Sequence, residues 1–276
     1  MEKIVPGVPV TIAPGIVRLT APNPGVMTGP GTNSYIVGTR ELVVIDPGPA
    51  IDSHVSALCA AVGDRLRHIL CTHTHLDHSP AAVALKAATG ARISGRVATQ
   101  DGRQDPAFVP DAIAEDGDTI RAEGVTLHAV HTPGHASNHV CWLLAEQKLL
   151  FTGDHVMQGS TVVISPPDGD MHAYFRSLER LLALDLAALA PGHGHLISTP
   201  HEEVRGLIAH RLKREAKVAA ALAQRHPATI DELVPLAYDE VNERLFPIAR
   251  RSLHAHLLKL ERDGRASVAD ERWSPR

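Results

Sequence analysis

A chain of 276 residues with 31 Asp+Glu against 27 Lys+Arg carries a formal net charge of −4, and it is long enough for one sizeable core plus a small appendix. No run approaches the ~18–20 apolar residues of a membrane span, residues 1–7 lack the apolar core of a secretory signal, and three cysteines make no disulfide framework, so a cytoplasmic location is expected. Aromatics make up only 3% of the chain, which argues against a stacking platform for single-stranded nucleic acid.

In chain order, strand patterns are expected over 11–19, 34–38, 41–45, 68–72 and 91–94, then over 119–121, 125–131, 139–145, 148–152 and 187–190. Helical patterns fall over 51–62, 79–88 and 172–184, and Ser79-Pro80 reads as a cap residue and a first-turn proline. The Gly/Pro-rich stretch from Asn23 to Asn33 suits no regular element and is expected at the rim of a cleft, with residues 158–169 and Tyr174 as a second rim.

The most informative run is Thr72-His73-Thr74-His75-Leu76-Asp77-His78, directly after a strand pattern. Imidazole and carboxylate suit zinc and its first-row neighbours. Spacing by two along extended chain puts His73 and His75 on one side. A tight turn then sends Asp77 and His78 the other way, so one loop can serve two metal positions. Further ligand-type residues follow apolar runs inside turn chemistry: Thr132-Pro133-Gly134-His135, Phe151-Thr152-Gly153-Asp154 and Ala190-Pro191-Gly192-His193-Gly194-His195. Upstream stands Val43-Val44-Ile45-Asp46-Pro47-Gly48.

Together these segments resemble the five ordered motifs of the metallo-beta-lactamase superfamily, over roughly residues 9–200. The resemblance implies an α+β fold, the αββα sandwich of that superfamily. It assigns His73, His75 and His135 to one metal, Asp77, His78 and His193 to a second, and Asp154 to a bridge between them. It makes Asp46 a buried carboxylate bracing the histidine loop, since a ligating imidazole needs its other N–H held. The classical antibiotic-destroying members place cysteine where Asp154 stands, and Cys59, Cys71 and Cys141 fall at no ligand position. A beta-lactamase is therefore a minor expectation, beside glyoxalase-like, lactonase-like and nuclease-like branches. His139, four residues after His135, reads as the start of a strand rather than a site residue, whereas His155 and His195 read equally as cleft residues or as strand or turn residues.

After His195 the pattern becomes helical. Residues 202–224 form one long stretch. Thr229-Ile230-Asp231-Glu232 has the form of a capping box opening a helix to Tyr238, and 246–262 carries a helix-period stripe before a short strand over 266–269. This order resembles the winged-helix domain of the beta-lactamase-like protein 2 subgroup, so residues 1–202 are expected to be catalytic and 203–276 a small winged-helix-like domain. Residues 1–202 hold 13 Lys/Arg against 20 Asp/Glu, and residues 203–276 hold 14 against 11. The basic excess of the tail is modest and mostly solvates helix surfaces, so nucleic-acid binding by the tail stays open, as does a homodimer.

The expected enzyme is a dinuclear metal-dependent hydrolase that holds two divalent ions, zinc foremost, and attacks with a bridging hydroxide. Asp77 and Asp154 are the candidate catalytic carboxylates. The substrate is a small molecule or RNA, with no membrane partner. The reading leans to phosphodiesters, as in RNA endonucleases of the resembled subgroup. The alternative is acyl hydrolysis of a thioester, ester or lactone. A non-catalytic metal-holding interaction protein is disfavoured, because a structural zinc site saturates with four protein ligands.

Overall fold

Pro14-Gly15 splits the stretch that reads as a single strand into a hairpin of β1 (Pro9–Ala13) and β2 (Ile16–Thr20), with Gly15 at φ 70°. The computed structural model describes residues 3–276. They group into two compact units, one comprising the chain to Thr132, Asn138–Thr161 and Leu184–Pro200, the other Pro133–Ser137, Val162–Ala183 and His201–Arg276.

In the first unit the hairpin continues through β3 (Asn33–Gly38), β4 (Leu42–Ile45), β5 (Leu66–Leu70), β6 (Arg92–Gly95) and β7 (Ala112–Ile113) into a seven-stranded sheet in sequence order. Pairing is antiparallel up to β4 and parallel from β4 to β7. Helices α1 (Asp52–Val62) and α2 (Ala81–Thr89) make the parallel crossovers that such pairing requires. A second sheet runs β12-β11-β10-β9-β8, formed by β8 (Thr119–Ala122), β9 (Val125–His131), β10 (Val140–Leu144), β11 (Leu149–Gly153) and β12 (Ala188–Pro191). Only β11 and β12 pair in parallel there.

Alternation along the strands sorts the side chains into two cores. Tyr35, Val43, Ile45 and Leu70 of the first sheet pack with Leu127, Trp142 and Phe151 of the second. Ile36, Val44 and Ile69, on the opposite face of the first sheet, pack with Leu58, Val62 and Leu85 of α1 and α2. The architecture is the mixed α/β layering expected from the sequence. A further local reading changes: Ser79 does not cap α2, because its hydroxyl donates to Asp105 at 2.9 Å, and the helix starts after Pro80 without a side-chain cap.

The second unit holds α3 (Met171–Leu181), α4 (Pro200–Gln224), α5 (Ile230–Ala237), α6 (Phe246–Arg262) and the hairpin β13 (Ala266–Ala269) with β14 (Arg272–Pro275). The capping box forms: Glu232 N–H donates to Thr229 Oγ1 and Thr229 N–H to Glu232 Oε2. Val218, Leu233, Leu253, Leu257 and Trp273 centre one apolar core, which joins α4, α5, α6 and the hairpin. Among the described residues no helix is long and apolar enough to cross a membrane.

Candidate metal centre

In the first unit every candidate ligand, and the bracing carboxylate Asp46, stands at the carboxyl end of a strand. Asp46 follows β4, residues 73–78 follow β5, Asp154 follows β11 and His193 lies just past β12. The parallel pairs β4–β5 and β11–β12 set these ends side by side, so rigid ladders deliver the side chains and the loops need only turn.

Asp46 is buried, at φ 50°, and organises the histidine loop. Its Oδ1 accepts the Thr72 N–H at 2.7 Å, and its Oδ2 accepts the Thr72 hydroxyl at 2.8 Å and His78 Nδ1–H at 2.9 Å. Thr72 Oγ1, having given its proton to Asp46, accepts from His73 Nδ1 at 3.0 Å. One carboxylate thus fixes the orientation of two imidazoles, directly for His78 and through Thr72 for His73. The outward nitrogens His73 Nε2 and His75 Nδ1 face each other at 3.0 Å.

Around Asp154 the charges alternate. Asp154 Oδ1 lies 3.4 Å from His78 Nε2 and 3.3 Å from His193 Nε2, and Asp77 Oδ2 lies 3.4 Å from each of the same nitrogens. Burial pushes the Asp77 and Asp154 carboxyls up, but the imidazoles of His78 and His193 hold both below the usual carboxylate range. Burial would lower His193, yet Asp154 and Asp77 bring it up to about 10, and His78 is raised by Asp77, Asp154 and Asp46. Ligand atoms of His73, His78 and Asp154, and of Asp77, His78 and His193, form two groups each within 4.8 Å. His78 Nε2 is buried with no hydrogen-bond partner and faces two carboxylate oxygens. This donor set, imidazole nitrogens and carboxylate oxygens converging within a few ångströms, fits divalent cations.

Gly192 makes the packing possible. A β-carbon there would lie 2.7 Å from both Asp154 Oδ1 and His78 Cε1. The remaining predicted ligand, His135, belongs to the second unit, on the turn Pro133–Ser137, where its Nδ1 bonds the Val163 carbonyl at 2.8 Å.

Several residues at the site are invisible to motif reading. Gln104 accepts the Thr74 hydroxyl at 2.6 Å, Asp105 takes Ser79 and Asn138 donates to Thr74 at 2.7 Å, so the histidine loop is clamped from its other side. Thr32 Oγ1 lies 3.1 Å from Asp77 Oδ2, and the Gly31 carbonyl accepts from His193 Nδ1 at 3.2 Å. His139 is buried, with its ring stacked on His73 at 5.1 Å between centroids, and His155 is buried beyond it at 5.7 Å from His139. His195 lines a cleft of ≈ 500 Å³ whose walls include Ile4, Val26, Met27, Pro30, Met157 and the candidate ligand His193.

This chain belongs to the metallo-beta-lactamase superfamily, whose model matches residues 27–193, and a model described as a beta-lactamase associated winged helix domain matches residues 229–273. It is a hydrolase of that superfamily. Among its relatives, a beta-lactamase-like protein 2 homolog from Drosophila melanogaster is 31% identical over 94% of this chain and 92% of its own length. An atrochrysone carboxyl ACP thioesterase from Aspergillus fumigatus is 34% identical over 80% of this chain and 70% of its own length. The crystal structure of a metallo-beta-lactamase family protein from Thermus thermophilus shares the fold, with TM-score 0.81 over 96% of this chain and 100% of that one at 22% identity.

Proposed function

We propose that the chain is a dinuclear metal-dependent hydrolase of apolar acyl thioesters or esters, working in a reducing cytoplasm. His73, His75 and His135 would hold one ion and Asp77, His78 and His193 the other, with Asp154 shared and zinc the expected metal. Such a pair, when bound, lowers the pKa of a water and polarises the oxygen under attack. Asp46 and Thr72 hold the imidazoles of His78 and His73 in one orientation. Asp77, with its side chain 28% exposed against 12% for Asp154, is the carboxylate better placed to exchange a proton with substrate or solvent.

The observation that carries the acyl reading is the wall of the cleft beside His193. Ile4, Val26, Met27, Pro30 and Met157 line it, and among the described residues it carries one lysine, Lys3. A phosphodiester polymer needs several cations to neutralise successive phosphates, whereas an acyl chain needs apolar surface. The thioesterase among the relatives supports the same direction, and the cleft favours it over the phosphodiester expectation.

The test is metal content and turnover in one preparation, against an acyl-glutathione thioester, acyl-coenzyme A esters of rising chain length, a homoserine lactone, nitrocefin, bis-nitrophenyl phosphate and single-stranded RNA. Two ions per chain with acyl thioester or ester turnover that improves with chain length is the expected result. Cleavage confined to the phosphate compounds would overturn the acyl reading and restore the nuclease one.

A further inference from the structure

The loop from Asn23 to Asn33 does more than form a rim. Asn23 Oδ1 accepts the Thr32 backbone N–H at 2.9 Å, which fixes the orientation of the Asn23 amide. Its Nδ2 must then donate to Thr32 Oγ1, at 2.9 Å. With that oxygen already accepting, the Thr32 hydroxyl has its proton left for Asp77 Oδ2 at 3.1 Å. That carboxylate oxygen is the one facing His78 Nε2 and His193 Nε2. The preceding residue acts on the neighbouring ligand: the Gly31 carbonyl holds His193 Nδ1–H, which turns Nε2 toward Asp77 and Asp154.

The scaffold behind this dipeptide is stiff. Gly25 and Gly29 exchange backbone hydrogen bonds at 3.1 and 2.8 Å, Thr28 donates to the Asn23 carbonyl at 2.6 Å, and Asn33 N–H donates to the Gly192 carbonyl at 2.8 Å. Gly31 sits at φ 140° with the position of its missing β-carbon 2.0 Å from the Ala21 carbonyl oxygen, so the chain passes where only glycine fits. Thr32 itself is fully buried. None of these contacts reaches His73, which is held by Thr72 and Asp46.

We propose that Thr32, polarised by Asn23, is a positioning residue for the second metal position alone: it orients Asp77 while Gly31 orients His193. The proposal rests on the reading that Asp77, His78 and His193 hold an ion. Because Val26 and Met27 at the tip of the same loop line the cleft, the segment joins the substrate wall to the metal ligands as one rigid piece.

The experiment strips the full-length chain with a chelator and titrates zinc back by calorimetry with a competing chelator, with metal counted by mass spectrometry. Wild type, Thr32→Val, Thr32→Ser and Asn23→Ala are compared. Expected are two ions on the wild type and an affinity for the second ion about 10- to 100-fold weaker in Thr32→Val. The first ion should bind as before, and Thr32→Ser should be restored to within a few-fold of wild type. Asn23→Ala, which unlocks the hydroxyl without removing it, should weaken the second ion in the same direction by less. If Thr32→Val is too unstable to titrate, Asn23→Ala against Thr32→Ser decides the matter. Wild-type affinity at both positions in Thr32→Val, or an equal loss at both that serine does not restore, overturns the brace while leaving the dinuclear reading standing. A wild-type chain that takes up fewer than two ions overturns the dinuclear reading and the brace with it.

Discussion

All three groups that meet the Asp46 carboxylate are donors: the Thr72 N–H on one oxygen, the Thr72 hydroxyl and His78 Nδ1–H on the other. Asp46→Asn therefore turns an NH2 against a donor whichever way the amide is flipped. The expected result is metal affinity about 10- to 100-fold weaker and a loss of roughly 1–3 kcal/mol of stability for the unsatisfied buried group. Metal titration with a denaturant melt of the stripped protein checks both, and unchanged metal binding would show that Asp46 is only a fold residue. Gly192→Ala tests the close approach on the other side. Its β-carbon cannot sit 2.7 Å from Asp154 Oδ1 and His78 Cε1, so one of the two side chains must shift, and a displacement of about 1 Å can cost about 100-fold in turnover. Turnover within a few-fold of wild type would show that the pair moves without consequence. The ligand-type residues were legible in the sequence because their chemistry is rare and their spacing short. Their supports were not: Thr32 lies 45 positions from Asp77 and Asn138 lies 64 from Thr74, and such ordinary polar residues gain meaning only once the fold joins them.

Among the elements, periodicity placed nearly every strand and helix, since each has one apolar face to bury. Two hairpins escaped it for local reasons. Val10 and Ile12 continue the alternation of β2 across Pro14-Gly15, and the turn into β14 runs through Asp270 and Glu271 at φ 49° and 59°, where glutamate gives no turn signal of the kind Asn-Gly would. The capping box at Thr229 was legible, and Thr229→Ala should cost about 1 kcal/mol, read in thermal melts. Between α4 and α6 lies a charge cluster the pattern could not show. Glu215 is buried, with Lys259 and Arg265 each at 2.9 Å. Burial pushes its carboxyl up, but His256 and Lys259 bring it down to about 2. A depressed carboxyl stabilises the folded state above its ordinary value near 4.5 and loses that contribution as pH falls toward 2. The second unit should therefore lose on the order of 3 kcal/mol across that acid window, and Glu215→Gln should flatten the slope of stability against pH there. An equally steep slope in the variant would place the acid sensitivity elsewhere.

For the whole chain, the consequence lies in how the second unit is assembled. Nothing in the linear pattern marks Pro133–Ser137 and Val162–Ala183 as clustering with the tail. Their partners do so. Arg211 donates to the Val162 carbonyl and stands 5.5 Å from the centroid of the buried Tyr174 ring, Lys259 lies 5.3 Å from that of Phe175, and Arg262 pairs with Asp170 at 3.4 Å. The same segment carries the turn of His135. Asp170 N–H donates to the Gly134 carbonyl at 2.8 Å, Ser177 Oγ to the Pro133 carbonyl at 2.8 Å, and the Val163 carbonyl holds His135 Nδ1. Removing residues 203–276 should therefore unfasten 162–183 and release the turn that holds His135, in addition to exposing Tyr174 and Phe175. The truncated chain is expected to aggregate or, where soluble, to take up less metal than the whole chain. Leu253→Ala in the full chain is the companion variant, loosening the tail's own core by about 2–5 kcal/mol without cutting any of these contacts. It should lower the melting temperature of the second unit and leave metal uptake at 25 °C unchanged. A soluble chain of residues 1–202 that takes up metal with the stoichiometry and affinity of the whole chain would show that the His135 turn is fixed without the tail.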